Sequence, residues 1–147
     1  MHGIIERIRF FSDKGKTGID LEEASLLKDL GLEGDYHAKG GDRQISLLFA
    51  ESRDKITASE RQGLCFSRFK ENITIRGLER VDPGVQLAVG EAVLEITGEI
   101  KTCHEECSFY EQGKSCLLAG LNLFAKVVES GIIRTGDRVE AKLAEYQ

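Results

Sequence analysis

The sequence predicts a mostly β protein, a small closed or partly closed β-barrel with a few peripheral helices. Several short runs rich in Ile, Val and Leu recur at close spacing, as small barrels require. Turn signals separate them, among them Asp82-Pro-Gly84, Gly90-Glu91 and Gly136-Asp137. The 16 glycines and the absence of Trp fit a turn-rich chain better than a helical bundle.

Taken in order, Gly3 to Ser12 is read as the first strand. Its even positions Ile4, Ile8 and Phe10 would share a face, interrupted by Glu6. Asp13-Lys-Gly-Lys-Thr-Gly18 has the glycines and lysines of a phosphate-binding loop without its full spacing, so a plain turn is expected. Asp20 to Leu30 reads as a short helix, with Asp20 as its cap, Glu23 in the capping box and Gly31 as its end; a mostly looped segment is the alternative. A polar loop from Gly34 to Gln44 then feeds the apolar strand Ile45-Ser-Leu-Leu-Phe49. Ala50 to Glu60 reads as an amphipathic helix that Gly63 ends, and Cys65 as a core thiol.

Ile73 and Ile75 mark a strand with the polar entry Glu71-Asn72. Val85 to Val89 and Val93 to Ile96, joined through Gly90-Glu91, form a hairpin. Leu121 to Val128 fits both a strand and a helix, and periodicity alone does not separate the two. Ser130 to Asp137 reads as a turn and Arg138 to Leu143 as the closing strand.

A chain of 147 residues suffices for one domain with a real core, so residues 1–147 are expected to form a single domain. A formal net charge of -5 with no basic block argues against nucleic acid as a partner. No apolar run approaches the length of a membrane span. Met1-His-Gly-Ile-Ile-Glu-Arg carries no apolar signal region, so a cytoplasmic location is expected. In that reducing setting the cluster of Cys103, Cys107 and Cys116 is read as reactive or metal-binding rather than stapled.

The segment with the most chemistry is Thr97-Gly-Glu-Ile-Lys-Thr-Cys-His-Glu-Glu-Cys107. It leads from a strand into a polar turn that presents Cys103 beside Lys101 and His104. Cations there favour the thiolate, which is the nucleophilic form. Cys107 and Cys116 follow at C-x3-C and C-x8-C spacing. They are candidates to resolve a persulfide or sulfenate on Cys103, or to hold a metal with it. Zinc or iron in such a Cys103, Cys107 and Cys116 site would need a fourth ligand, for which His104 is the nearest candidate. Upstream, His37, Arg43 and Gln44 cluster where a strand begins, a usual place for binding groups. The plain alternatives are a salt bridge from Arg43 to Asp35 or Asp42, and a loop-ordering hydrogen bond for His37. A wall-ordering role is the alternative for Glu71 and Asn72, and a solvated side chain for Lys101.

These segments together resemble the MOSC domain family, named for the C-terminal part of molybdenum cofactor sulfurase. Gly31-Leu-Glu-Gly-Asp-Tyr-His-Ala38 is similar to the family's Gly-x-x-Gly-Asp-x-His-Ala, and Arg43-Gln-Ile-Ser-Leu-Leu48 to its Arg-Gln-Val-Ser-Leu strand. Glu71-Asn-Ile-Thr74 resembles its Glu-Asn-Ile segment, and Gly84-Val-Gln-Leu-Ala-Val-Gly-Glu-Ala92 its barrel hairpin. Cys103 falls at the family's cysteine, and Gly131-Ile-Ile-Arg-Thr-Gly-Asp137 resembles its closing turn. The resemblance covers nearly the whole chain, as expected for a short stand-alone member. Some members are the cofactor-binding part of enzymes that reduce N-hydroxylated compounds. This sequence is read as lacking their extra N-terminal domain, so a complete reductase is not expected.

The resemblance implies molybdenum cofactor (molybdopterin) as the ligand and Cys103 as a persulfide sulfur carrier or metal ligand. His37, Arg43, Gln44, Asn72 and Lys101 would then hold the cofactor. Arg grips phosphate through paired donors, and Gln can read a pterin edge. The implied partners are a cysteine desulfurase or other sulfur-donor and cofactor-synthesis proteins, and molybdoenzymes. Two other readings stand beside this one: a non-catalytic zinc- or iron-binding module, and a pterin-binding adaptor. Whether Cys103 makes the chain an enzyme is left open between them.

Overall fold

The computed structural model describes residues 2–13, 18–51, 54, 71–78, 81–97 and 122–142. The first strand, β1 (His2–Phe10), is the long stave of a barrel and is followed by β2 (Ile19–Leu21), β3 (Glu23–Leu27) and β4 (Gly31–Leu32). Next come β5 (Ile45–Phe49), β6 (Ile73–Arg76), β7 (Gln86–Val89) and β8 (Ala92–Ile96). The chain continues through β9 (Asn122–Glu129), β10 (Gly131–Arg134) and β11 (Arg138–Lys142). In the larger sheet the order is β11-β7-β8-β9-β5-β6-β1-β2, and pairing of β1 with β11 closes seven of these strands into a barrel. β2 hangs outside the ring on β1. A three-stranded sheet, β10-β3-β4, lies beside it.

The expected mostly β barrel is therefore the fold. Its ladders are antiparallel except for β5 and β6, which run parallel. A parallel pair needs a crossover rather than a tight turn, and the chain between Phe49 and Ile73 supplies it. Ala50, Glu51 and Asp54 are helical there, and the remainder of the helix expected over Ala50 to Glu60 lies outside the described residues, as does Cys65. Among the described residues, no helix is long and apolar enough to cross a membrane.

The barrel interior follows from alternation. Leu87 and Val89 of β7, Leu94 and Ile96 of β8, and Val139 of β11 all point inward and are buried. The hairpin of β7 and β8 pairs Val89 with Ala92 across Gly90-Glu91, as its turn signal predicts. β6 brings in Ile73 and Ile75, again as expected. β9 resolves the ambiguous segment in favour of a strand: Ala125 and Val127 face the core, Leu123 packs against it, and Ala125 pairs with both Ile45 and Ile96.

Three expectations are corrected. In β1 the inward residues are Ile5 and Ile8, while Ile4 is 47% exposed. The register against β6 shifts between Ile5 and Arg7. A bulge there inserts one residue and changes the phase of the alternation, so residues three apart reach the same side. The helix expected over Asp20 to Leu30 is two strands. Ala24 and Leu26 alternate into the core, β10 and β4 take up the backbone hydrogen bonds of β3, and the Asp20 carboxylate pairs with Arg7 instead of capping a helix. The turn expected over Ser130 to Asp137 is mostly strand β10, with the reversal confined to Thr135 and Gly136.

Candidate functional site

The candidate site is built on the loop between β4 and β5, where it meets the end of β1 and the residues that enter β6. The loop starts with a tight turn: the Asp35 amide donates to the carbonyl of Leu32 (3.0 Å), and Gly34 takes a φ of 81°. That left-handed conformation suits glycine and strains most other residues. It turns Asp35 inward, against the extension of β1. There the Phe11 amide donates to Asp35 Oδ2 (2.7 Å), and the Tyr36 amide donates to the Phe11 carbonyl (2.7 Å).

Asp35 is the hub of the site. Its side chain is 1% exposed and accepts four hydrogen bonds. Oδ2 takes the Phe11 amide and Asn72 Nδ2 (3.1 Å); Oδ1 takes the His37 amide (2.8 Å) and His37 Nδ1 (2.8 Å). Burial on its own would raise the Asp35 carboxyl. The His37 ring bond, the Phe11 and His37 amides and the charge of the imidazolium together hold it below its ordinary value. An ionised carboxylate only accepts, so Nδ1 of His37 carries its proton toward Asp35.

His37 is thereby fixed in orientation. Its ring meets Phe11 edge-on at 5.6 Å and Tyr36 at 5.4 Å. The Lys39 ammonium sits over the outer ring, Tyr36, at 4.0 Å. On the other side the Arg9 guanidinium lies over Phe11 at 5.1 Å and reaches the buried Glu71 carboxylate at 3.6 Å. Arg9 offsets the charge of Glu71, a carboxylate that burial would otherwise penalise heavily.

Asn72 and Gln44 are buried brackets. Asn72 Nδ2 donates to the Arg9 carbonyl (3.2 Å) and to Asp35, while its Oδ1 accepts the Ser46 amide (3.1 Å). One side chain thus joins β1, the loop, β5 and the entry to β6. Gln44 Nε2 donates to the Gly41 carbonyl (2.9 Å), and its Oε1 accepts the Val127 amide (2.9 Å) from β9. Arg43 is different: it is exposed, with its guanidinium 4.9 Å from the Phe124 ring centroid. Thr97, where β8 ends, donates through Oγ1 to the Asp42 carbonyl (2.8 Å), so the chain that leads to the cysteines departs beside this loop.

The loop brings His37 and Arg43 to its outer side, together with Lys39, and sends Gln44 inward; Asn72 lies behind it under Asp35. Lys101, Cys103, His104, Cys107 and Cys116 lie outside the described residues. Among the described residues no group of three or more His, Cys, Asp or Glu side chains is placed to hold a metal ion. Sequence reasoning missed the centrality of Asp35 and the part played by Arg9 and Phe11. The signal for Asp35 was its place after Gly34 and two residues before His37, which is hydrogen-bonding range for a side chain folding back on its own loop.

Two cations, Lys39 and Arg43, and the His37 imidazole thus stand on one short loop, which also carries Gly41 with open space where a side chain would begin.

The fold is similar to the crystal structure of the YUAD protein from Bacillus subtilis, at TM-score 0.70 and 19% identity, covering 96% of each chain. It is similar to YiiM from Geobacillus stearothermophilus at TM-score 0.64 and 19% identity, covering 96% of this chain and 75% of that one. YiiM from Escherichia coli matches at TM-score 0.60 and 20% identity, over 98% of this chain and 72% of the other. At these identities the likeness establishes the fold. None of the curated proteins matches the chain by sequence. The family model of the MOSC domain matches residues 34–140, from the glycine that turns the site loop to the closing strand, and the chain belongs to the MOSC domain family.

Proposed function

We propose that this protein binds molybdenum cofactor and handles sulfur for it, carrying the sulfur as a persulfide on Cys103. The observation that supports this most directly is the loop from Gly34 to Gln44. It lies inside the segment matched to a family associated with molybdenum cofactor, and it carries Lys39, Arg43 and a carboxylate-anchored His37 on one short stretch of chain. Arg43 and His37 would hold the anionic end of the cofactor, with Lys101 as a further cation. Gln44 and Asn72 would act on the ligand by shaping the wall behind it. The bound cofactor supplies the molybdenum centre that receives or retains sulfur.

The sulfur step needs no outside oxidant. The Cys103 thiolate attacks the outer sulfur of a donor persulfide, the donor's S–S bond breaks, a new S–S bond forms on Cys103, and the donor leaves as a thiolate. A cysteine desulfurase is the fitting donor and a molybdoenzyme or its cofactor the fitting acceptor. In this reading the protein works in the cytoplasm as a single domain over residues 1–147.

The test is anaerobic intact-protein mass spectrometry of wild type and Cys103→Ser after incubation with a cysteine desulfurase and cysteine. Gain of one sulfur atom in the wild type, absent from the variant and removed by reductant, is the expected result. Equal loading of the two proteins would exclude Cys103 as the carrier. No loading of the wild type would exclude sulfur carriage.

A further inference from the structure

We propose that Asp35 and His37 form a carboxylate–imidazole dyad whose Nε2 takes the proton from an acidic S–H or O–H group of the species bound at the loop. The inference rests on the sulfur-handling reading for its substrate, but its geometry stands independently. Asp35 is buried and ionised, and it binds both the His37 ring and the His37 backbone amide, each at 2.8 Å. The ring bond to the carboxylate leaves one neutral tautomer, with the proton on Nδ1 and a lone pair on Nε2. The imidazole is 22% exposed, and Nε2 has no hydrogen-bond partner among the described residues. Asp35 itself is held from behind by the Phe11 amide and by Asn72, so the carboxylate cannot swing away without breaking two more bonds.

The bonds to Asp35 order the loop. The second feature here is what surrounds the ring. Phe11 and Tyr36 contact it edge-on, restrict its rotation and leave its outer nitrogen as the polar group it presents. Among the described residues, the charged and titratable groups around it are the Asp35 carboxylate at Nδ1, the Tyr36 ring with the Lys39 ammonium upon it, and the Arg9 guanidinium beyond Phe11. When Nε2 accepts a proton, the imidazolium charge faces the Asp35 carboxylate. No electrons change hands: the S–H or O–H bond of the ligand breaks heterolytically, N–H forms on Nε2, and the thiolate or oxyanion remains with the ligand. Asp35 is a positioning residue in this scheme and His37 the proton acceptor.

Two measurements test it. Long-range proton–nitrogen NMR of the 15N-labelled full chain, at a pH where His37 is neutral, reads which ring nitrogen carries the proton. The expected result is Nδ1–H; an Nε2–H tautomer would overturn the proposal. The second measurement is labelling of the full chain by diethyl pyrocarbonate, which attacks an unprotonated, accessible imidazole nitrogen. Prompt labelling on His37 Nε2 is expected, and absence of labelling there would overturn the proposal. Neither readout depends on sulfur loading, so failure of the dyad and failure of the sulfur-handling reading are distinguishable.

Discussion

Asn72 and Asp35 are joined by a 3.1 Å hydrogen bond from Nδ2 to Oδ2, and through it the entry to β6 holds the carboxylate that orients His37. Both Nδ2 protons of Asn72 are engaged, the second at the Arg9 carbonyl, and Oδ1 is engaged by the Ser46 amide. Replacing Asn72 with Ala would strand the buried Ser46 N–H and remove a donor from Asp35. Each stranded group costs about 1–3 kcal/mol, so a loss of about 3 kcal/mol in urea unfolding is expected. Asn72→Asp would place a second carboxylate against Asp35, and should be worse at pH 7 than at pH 4, where protonation relieves the repulsion. A variant as stable as wild type would show that the bracket is dispensable.

The Asp35 carboxyl sits below its ordinary value because the His37 ring, two amides and the imidazolium charge outweigh the effect of burial. A depressed folded-state pKa means that the unfolded chain binds the proton more readily. The resulting stability is complete above the unfolded value of about 3.9, and is lost as pH falls through the lower folded value. Asp35→Asn should therefore be clearly less stable than wild type at pH 6, and the gap should narrow as pH falls below about 4. Thermal melts of both proteins across that range decide the matter. A gap independent of pH would mean that the loss comes from the altered hydrogen bonds alone.

Gln44 gives a residue-level readout. Its Oε1 accepts the Val127 amide, and its Nε2 donates to the Gly41 carbonyl. Gln44→Leu should leave the Val127 N–H buried without an acceptor, at a cost of about 1–3 kcal/mol, and speed its hydrogen exchange. Gln44→Glu retains the acceptor for Val127 while losing the donor to Gly41. Val127 should stay protected in the Glu variant and lose protection in the Leu variant. Equal protection in both would place the strength of that amide in the surrounding β-ladder.

Much of this architecture was legible in the sequence. Strands whose inward apolar residues recur at every second position, such as β7 and the Ile73 and Ile75 run, carry their inward face in their spelling. Ile4 misled because the bulge near Glu6 is a property of pairing with β6, and nothing local in Ile4-Ile-Glu-Arg announces a phase change. Asp20 to Leu30 misled for a related reason. Its leucines satisfy a helical stripe, and pairing with β4 and with β10, more than a hundred residues later, makes extended backbone the lower-energy choice. At the site, exposed groups on the loop could be named in advance from residue type. The roles of Gln44 and Asn72 as brackets depend on partners at Val127 and Arg9, which tertiary packing alone brings near. Asp35 was visible as an acid beside Arg43. The turn at Gly34, and the reach of β1 to Phe11, decide that it binds His37, Phe11 and Asn72.

Gly18 supplies a test of how firmly the His37 wall is set. A Cβ at this position would lie 2.8 Å from Phe11 Cε1 and 2.9 Å from both Phe11 Cζ and Arg9 Nε. Phe11 is 1% exposed and Arg9 is tied to Glu71, so neither can yield without disturbing its neighbours. Gly18→Ala should cost about 1–3 kcal/mol, as overpacking of a filled core does. The displaced Phe11 ring should also carry the disturbance to His37, 5.6 Å away, and shift the imidazole signals in NMR. A second substitution of Phe11 by Leu would make room for the added methyl. It should restore part of the lost stability while leaving the His37 signals altered, because the aromatic edge that confines the imidazole is gone. Loss of stability without any change at His37 would instead mean that Asp35 alone sets the ring, and that Phe11 merely fills space.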